Sequence, residues 1–234
     1  MCPLKTWPES FVDVGKALPL VVPALHYVGH TNFLGRPVKG YSAPRILLTQ
    51  EATDALATAA RLADQEGFRL VVYDAYRPCK AVLDFVSWGQ QEEDAATKGL
   101  YYPSFSKQDL FTQGYIAKAS AHSRGSTVDL TLLEKGKASQ FDPRGFQQAS
   151  YTLRDGRQIV RIDDGTLGMG GHFDLFDLSS HPDSNLVDDV SQKHRDLLAS
   201  MMAQAGFLPF AQEWWHFTLK DEPFPDTFFD FDID

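Results

Sequence analysis

Two short segments of the sequence contain side chains that bind metal ions. SAHSRGSTVDL (120–130) contains His122 and Asp129, and EWWHF (213–217) contains His216. Imidazole nitrogens and carboxylate oxygens are both zinc ligands, and a catalytic zinc is held by three protein ligands with one position left for water. The residue types therefore predict a catalytic metal site as one hypothesis.

Each of these residues also has a common structural interpretation. A histidine beside a turn usually forms hydrogen bonds, and an aspartate in a strand often lies at its edge. An aromatic segment such as 213–217 usually packs in a core. Spacing alone therefore leaves the zinc site as one hypothesis among several.

The alternation in residues 126–133 explains how Asp129 can face a cleft. One face of the predicted strand in STVDLTLL carries Val128, Leu130 and Leu132, and the other carries Thr127, Asp129 and Thr131. The turn at residues 123–125 folds the chain back, so His122 can approach Asp129. One nitrogen and one carboxylate oxygen then point to the same place.

Glu213 lies three residues before His216 and is a candidate general base. A carboxylate beside a metal-binding histidine is the arrangement expected where a bound water is deprotonated. Residues three apart on a regular strand point to opposite faces. The two side chains can serve one site only if the chain bends, bulges or ends a strand there.

Arg77 adds a cation at the end of a predicted buried strand. It stands in YDAYRP (73–78), where Pro78 stops regular pairing. A guanidinium there can hold a carboxylate or stabilise an oxyanion in a cleft. The alternative is a structural salt bridge to one of the many acidic residues of the chain.

Hydrophobic periodicity predicts the elements that would position these side chains. Helices are predicted over residues 50–66, 79–91 and 187–205, and strands over residues 68–74, 114–120, 126–133 and 207–219. Thr49 is the predicted N-cap of the first helix and Gly67 its stop. The Asp-Gly pair in YTLRDGRQIVRI (151–162) predicts a hairpin. Interleaved helices and strands favour a single α+β domain over residues 1–234.

Composition and charge exclude several classes of protein. Hydrophobic residues make up 43% of the chain, which is typical of a globular protein. The net charge is −9, with no run of Lys and Arg, which argues against nucleic-acid binding. The apolar stretch at residues 17–25 is broken by prolines and is too short to span a membrane. We therefore predict a cytoplasmic protein with no membrane partner, although a chain whose signal peptide had been removed would look similar.

The cysteine pattern predicts no metal or disulfide framework. Cys2 and Cys79 lie far apart, and neither belongs to a C-x-x-C pair. Such spacing indicates neither a zinc knuckle nor a disulfide-bonded scaffold.

Longer sequence blocks resemble a known family. SAHSRGSTVDLTL and EWWHF match the S-x-H-x-x-G-x-x-x-D and E-x-W-H patterns of the M15 zinc peptidases. Within them the chain resembles the VanX-type D-alanyl-D-alanine dipeptidases, whose blocks occur in the same order from near residue 27 to the C-terminus. These blocks are NFLGRPVKGY (32–41), YDAYRP (73–78), GYIAKASAHSRGSTVDLTL (114–132), MGGHFDLFD (169–177), SSH (179–181), GFLPFAQEWWHF (206–217) and DEPFPDTFFDF (221–231).

The resemblance implies roles for the residues already singled out. His122, Asp129 and His216 would hold one catalytic zinc ion per chain. Glu213 would be the general base that passes a proton from water to the leaving amine. Arg77 would polarise the scissile carbonyl and stabilise the tetrahedral oxyanion.

The resemblance also implies how a dipeptide would be bound. Asp174, in MGGHFD, would meet the substrate's free ammonium. Ser120 and Ser123 would line the end that holds its carboxylate, and Tyr27 and Asn32 would help to form the pocket wall. The family fold is α+β, with a central antiparallel sheet, flanking helices and a small closed cleft. Such a cleft would restrict the substrate to a dipeptide.

Two segments depart from the family pattern. Residues 134–168 are longer than the corresponding connection in short members of the family. They join the strand that carries Asp129 to the MGGHFD loop, so they could cover the cleft or alter its access. YVGHTNF (27–33) also differs, which leaves the exact pocket wall and the range of dipeptides open.

Two other functions share parts of this site. A D,D-carboxypeptidase acting on longer peptidoglycan peptides would use the same ligands but would have no use for Asp174. A non-catalytic zinc-binding module would have no need of Glu213 or Arg77. The residues do not distinguish glycopeptide resistance from salvage of D-alanine, and they leave a homo-oligomer open.

Overall fold

A computed structural model describes residues 7–234, so Cys2 lies outside the described part of the chain. The strands of this part are β1 Phe11–Asp13, β2 Val21–Pro23, β3 Leu47–Thr49, β4 Phe68–Asp74, β5 Thr127–Glu134, β6 Gln147–Thr152, β7 Gln158–Asp163, β8 Phe207–Phe210 and β9 Glu213–Leu219. The α-helices are α1 Val14–Ala17, α2 Gln50–Gln65, α3 Cys79–Gly89, α4 Ala95–Tyr101, α5 Lys107–Thr112 and α6 Asp189–Gln204. Short 3-10 helices span His26–Val28, Ala121–Arg124 and Leu178–Ser180. Over residues 7–234, no helix combines the length and the apolar character needed to cross a bilayer.

A five-stranded sheet with the order β2-β4-β5-β9-β8 forms the centre of the fold. The pairs β4-β5, β5-β9 and β9-β8 are antiparallel, whereas β2 runs parallel to β4. Helices α2 and α6 pack against this sheet and against each other. The predicted α+β class with flanking helices is confirmed, and the central sheet is mixed rather than purely antiparallel because β2 joins it in parallel.

Strand β5 lies in the middle of the sheet and is buried on both faces. Val128, Leu130 and Leu132 are fully buried on one face, and Thr131 is fully buried on the other. A strand that is paired along both edges and covered on both faces requires this almost continuous run of apolar and β-branched side chains. Asp129 interrupts the run, and its carboxylate is held inside the molecule.

Local signals predicted the helices well. Thr49 is the N-cap of α2, and its hydroxyl accepts a hydrogen bond from Ala52 N at 3.3 Å. Gly67 follows the helix with a φ of 85°, a conformation that glycine adopts without strain. Helices α3 and α6 confirm the helices predicted over residues 79–91 and 187–205.

The predicted hairpin is also confirmed, as strands β6 and β7 outside the central sheet. Its turn contains Asp155 and Gly156, and Gly156 has a φ of 87°. The Asp155 carboxylate accepts a hydrogen bond from Arg157 N at 3.0 Å. The turn residues therefore fix the hairpin locally.

The strand predicted over residues 114–120 is wrong. This segment is irregular, and Ile116 N donates to Leu110 O at 3.0 Å, at the end of α5. Strand β5 already pairs with β4 and β9 along its two edges, so it offers no edge to a further strand. The apolar pattern of the segment instead buries Tyr115 and Ile116 in the core.

The single strand predicted over residues 207–219 is also wrong. The segment forms two antiparallel strands, β8 and β9, joined at Ala211 and Gln212. Neither residue is a strong turn former, so local patterns do not reveal the reversal. The pairing register shifts between Pro209 and Phe210.

Candidate functional site

The three predicted metal ligands meet at one place on the central sheet. Asp129 on β5 is the cross-strand partner of His216 on β9, and His122 lies in the 3-10 helix that precedes β5. His122 Nε2 is 3.2 Å from Asp129 Oδ2, and His216 Nδ1 is 3.1 Å from Asp129 Oδ1. The two histidine nitrogens are 3.2 Å apart.

This donor set fits a tetrahedral zinc ion. Zinc bonds of about 2.0–2.1 Å at tetrahedral angles place the ligand atoms roughly 3.3 Å apart, close to the three distances observed. Asp129 Oδ1 is buried and has no hydrogen-bond partner among the described residues. Burial opposes its charge, but His122 and His216 hold the pKa of Asp129 below its usual range. The carboxylate is therefore anionic and available as a ligand.

The main chain after β4 orients His122. Its Nδ1 lies 2.6 Å from Ala75 O. A carbonyl oxygen only accepts hydrogen bonds, so Nδ1 carries the proton and Nε2 turns its lone pair toward the cluster. The ring is only 1% exposed, which leaves it little room to rotate.

Glu213 begins β9 and lies beside the cluster. Its Oε2 is 3.6 Å from His216 Nδ1, too far for a direct hydrogen bond. The shifted register pairs Glu213 with Phe210. The sequence analysis required such an irregularity if Glu213 and His216 were to serve one site. Both residues line the same cavity.

The surroundings of the Glu213 carboxyl group favour its protonated form. It is 7% exposed. Burial raises the pKa of Glu213 well above its usual value, and the nearby negative charges of Asp129 and Asp174 raise it further. A carboxylate with a raised pKa is a better proton acceptor than an exposed one.

Arg77 reaches the cavity from the loop after β4. Its Nε donates to Asp74 Oδ2 at 2.9 Å, and its Nη2 lies 3.5 Å from Asp129 Oδ2. The guanidinium carbon lies 5.1 Å from the ring centre of Tyr27 and 5.2 Å from that of Phe85. Arg77 therefore forms the structural salt bridge that was one interpretation of it. It also lines the cavity, as the other interpretation requires, and its role there stays a prediction.

Asp74 is an important residue that the sequence analysis missed. It is 1% exposed and accepts hydrogen bonds from Arg77 and from the Tyr41 hydroxyl at 2.7 Å. Its Oδ2 is also 3.7 Å from His122 Nδ1. The available signal was a charged residue at the end of a buried strand, since such a charge requires a partner.

Asp174 lies across the cavity on the MGGHFD loop. Its φ of 63° is in the left-handed region, which non-glycine residues rarely adopt. Its Oδ2 accepts a hydrogen bond from the Tyr27 hydroxyl at 2.9 Å. Burial raises the pKa of Asp174 well above its usual value, followed by repulsion from Asp129. A cation bound beside Asp174 would offset both effects and stabilise its charged form.

The remaining predicted binding residues divide into two groups. Ser120 and Tyr27 line the cavity. Ser123 does not, because its fully buried hydroxyl donates to Arg77 O at 2.8 Å. Asn32 does not line it either, and its side-chain amide donates to Gly29 O at 2.8 Å and shapes the preceding loop.

The cavity has a volume of about 300 Å³. The sequence analysis named none of its apolar wall residues individually. These wall residues are Phe33, Val82, Phe85, Tyr115, Ile116, Phe176, Leu208, Pro209 and Phe210. None of residues 134–168 lines the cavity, so the long connection forms no part of its wall.

Comparison with known proteins gives a consistent result. The peptidase family M15 model, described as D-ala-D-ala dipeptidase, matches residues 8–143 and 151–234. A D-alanyl-D-alanine dipeptidase of Streptomyces coelicolor is 42% identical over 207 residues, which is 88% of this chain and 90% of that protein. D-alanyl-D-alanine dipeptidases of Enterococcus faecium and Enterococcus faecalis are 36% and 37% identical, with the same coverage of each chain.

Proposed function

The chain belongs to the D-Ala-D-Ala dipeptidase family of metallopeptidases, and on this premise we propose that it hydrolyses D-alanyl-D-alanine to two D-alanines with a bound zinc ion. It is a peptidase, hence a hydrolase. The observation that carries the proposal is the single small cavity that brings together a His-Asp-His cluster, Glu213, Arg77 and Asp174.

His122, Asp129 and His216 would hold the zinc ion, since their donor atoms are already at suitable distances from one another. Zinc supplies Lewis-acid chemistry, because it lowers the pKa of a bound water and polarises a carbonyl group. His122 Nδ1 keeps its proton and donates it in a hydrogen bond to Ala75 O, so the ring presents one fixed tautomer.

Glu213 would act as the general base. It lies next to the cluster without joining it, at 3.6 Å from His216. From there its carboxylate can take a proton from the attacking water and deliver it to the nitrogen of the leaving D-alanine. Its buried surroundings favour the protonated form, which helps it to keep the proton between the two transfers.

Arg77 would stabilise the negative charge that develops on the carbonyl oxygen. Its guanidinium is held in advance by Asp74 and by the two aromatic rings. Donors that are fixed before the reaction stabilise a transition state without a cost of reorganisation.

Asp174 would bind the ammonium group of the dipeptide. Its carboxylate is buried in the cavity wall and is fixed by Tyr27. A small cavity with this acid in its wall suits a substrate with a free amino group and a short chain. We place the substrate's carboxylate toward Ser120, which lines the cavity beside His122.

The same arguments separate this proposal from the alternatives. A carboxypeptidase acting on long peptides would gain nothing from a buried carboxylate at Asp174, and a non-catalytic zinc module would gain nothing from Glu213 and Arg77. A cytoplasmic location and a role in cell-wall metabolism or D-alanine salvage remain predictions.

The test is the release of D-alanine by the zinc-loaded protein from three substrates, D-Ala-D-Ala, N-acetyl-D-Ala-D-Ala and D-Ala-D-lactate. We expect chelator-sensitive release from the free dipeptide and little from the other two. Equal release from the N-acetylated dipeptide would contradict a dipeptidase and favour a carboxypeptidase. No release with zinc bound would contradict the proposed substrate.

A further inference from the structure

The β6–β7 hairpin packs behind the loop that carries Asp174. Leu153 and Ile159 of the hairpin segment form a small buried cluster with Leu175 and Val187. Leu175 is the residue immediately after Asp174 and is fully buried. The hairpin thus touches the recognition loop (residues 169–181) from the side opposite the cavity.

Arg157 connects this hairpin to the recognition loop by charge. Its Nη1 donates to Asp177 Oδ2 at 2.9 Å and to Ser104 Oγ at 2.9 Å. Asp177 is fully buried, and its other oxygen accepts from Ser179 N at 2.9 Å. Burial opposes the charge, but the Arg157 guanidinium leads the contacts that hold the pKa of Asp177 below its usual range. The carboxylate therefore depends on Arg157 for its counter-charge.

The recognition loop has little regular structure of its own. Apart from the short 3-10 helix at its end, it is held by side chains and by a main-chain hydrogen bond from Phe176 N to Tyr101 O at 2.7 Å. On one side Arg195 donates to Met169 O and Ser179 O at 2.8 and 2.9 Å. Arg157 supplies the second guanidinium, from the hairpin. An aspartate with a positive φ, such as Asp174, persists only where its surroundings fix the backbone.

We propose that Arg157 is a positioning residue that holds Asp174 in place for the substrate's ammonium group. The proposal rests on the proposed function, and it gives the long connection a role in recognition rather than in covering the cleft. Residues 144–150, which include the start of β6, fall in the gap of the family match. Arg157 itself lies in the matched stretch of residues 151–234.

The test compares Arg157→Ala with Arg154→Ala in the zinc-loaded protein. Arg154 lies on the same hairpin but forms its ion pair with Asp189 at the start of α6. We expect Arg157→Ala to raise KM for D-Ala-D-Ala by about tenfold with kcat changed less than about threefold, because misplaced binding groups weaken recognition more than the chemistry. The preference for the free over the N-acetylated dipeptide should fall as well, whereas Arg154→Ala should match the parent.

A second readout needs no substrate, so it stays valid if the parent does not cleave D-Ala-D-Ala. Hydrogen exchange of the amides in residues 169–177 should be faster in Arg157→Ala than in the parent and in Arg154→Ala. Arg157→Lys retains the charge without the paired donors, so we expect its KM and its exchange rates to lie between those of the parent and of Arg157→Ala. It also replaces the alanine variant if that protein does not fold. Parental KM and parental exchange in the Arg157 variants would overturn the proposal, as would an equal change in Arg154→Ala.

Discussion

The metal cluster and the recognition loop both line one cavity, and the chain holds them by different means. Asp129 and His216 are fixed by the pairing of β5 with β9, and His122 by a main-chain carbonyl. The loop that bears Asp174 is held by the side chains of Arg195 and Arg157. Backbone pairing thus places the proposed metal ligands, and long side chains hold the loop whose Asp174 we propose to bind the substrate's ammonium group.

Because of this difference, substitutions in the two regions should affect the enzyme in different ways. Loss of a ligand on the sheet removes a donor that nothing else replaces, so the metal and the reaction are lost together. Loss of a guanidinium behind the loop displaces a carboxylate by a small amount, which weakens binding first. The following predictions test this contrast.

The largest effect is expected for His122→Ala. Removal of one of three ligands should take the zinc content from one per chain to nearly none and abolish D-alanine release. Elemental analysis and the release assay measure both quantities. His30→Ala is the control, because the exposed His30 ring forms a hydrogen bond with Gly35 O, away from the cluster. Full zinc content in His122→Ala would contradict the ligand assignment.

Glu213→Gln should separate the chemistry from the metal. The amide keeps the size of the side chain but cannot accept the proton, so kcat should fall by about 10²–10⁴-fold while zinc content stays at the parental value. Steady-state kinetics with elemental analysis gives both numbers. Loss of zinc equal to that in His122→Ala would identify Glu213 as a ligand instead of a base.

Asp74→Asn should have a smaller effect that still appears in kcat. The substitution removes the charge that holds the Arg77 guanidinium, so we expect kcat to fall by roughly tenfold with KM little changed. Tyr41→Phe removes only a hydroxyl bonded to Asp74 and should cost less. A change confined to KM would show that Asp74 acts on binding, as the recognition loop does.

The smallest effect concerns the stability contributed by a histidine of the recognition loop. Burial lowers the pKa of His172 to about 3, so the folded protein excludes a proton that the unfolded chain takes up below pH 6.5. Stability is therefore lost as the pH falls from 6.5 toward 3, by about 1 kcal/mol at pH 5.5. His172→Phe removes this dependence, so its free energy of unfolding relative to the parent should rise by that amount between pH 7 and pH 5.5. Urea unfolding at the two pH values measures it, and a constant difference would contradict the assignment.

Sequence patterns predicted the elements whose signals are local. Thr49 caps its helix through a hydroxyl three residues from its partner, and the Asp155–Gly156 turn carries its own conformational preference. In both cases a short stretch of chain contains most of the determining physics. The grouping of His122, Asp129 and His216 was predicted from residue type and from family resemblance, and their role as metal ligands stays a prediction.

Features set by distant partners could not be predicted in this way. Residues 114–120 have a strand-like pattern, yet no strand edge is free to accept them. The roles of Asp74 and Asp177 depend on arginines and a tyrosine that only the folded chain brings near. Ser123 and Asn32 have polar side chains that could bind a substrate, but both side chains donate hydrogen bonds to main-chain carbonyl oxygens instead.

The direct pairing of Asp129 with His216 also bears on how the protein folds. A slip of one residue between β5 and β9 would pair Asp129 with a different residue and turn its side chain to the opposite face. The ligand set therefore exists only after two strands far apart in sequence have aligned correctly. Metal uptake during refolding would accordingly report the moment at which the sheet is correctly assembled, and a misaligned chain would be recognisable by its failure to retain the ion.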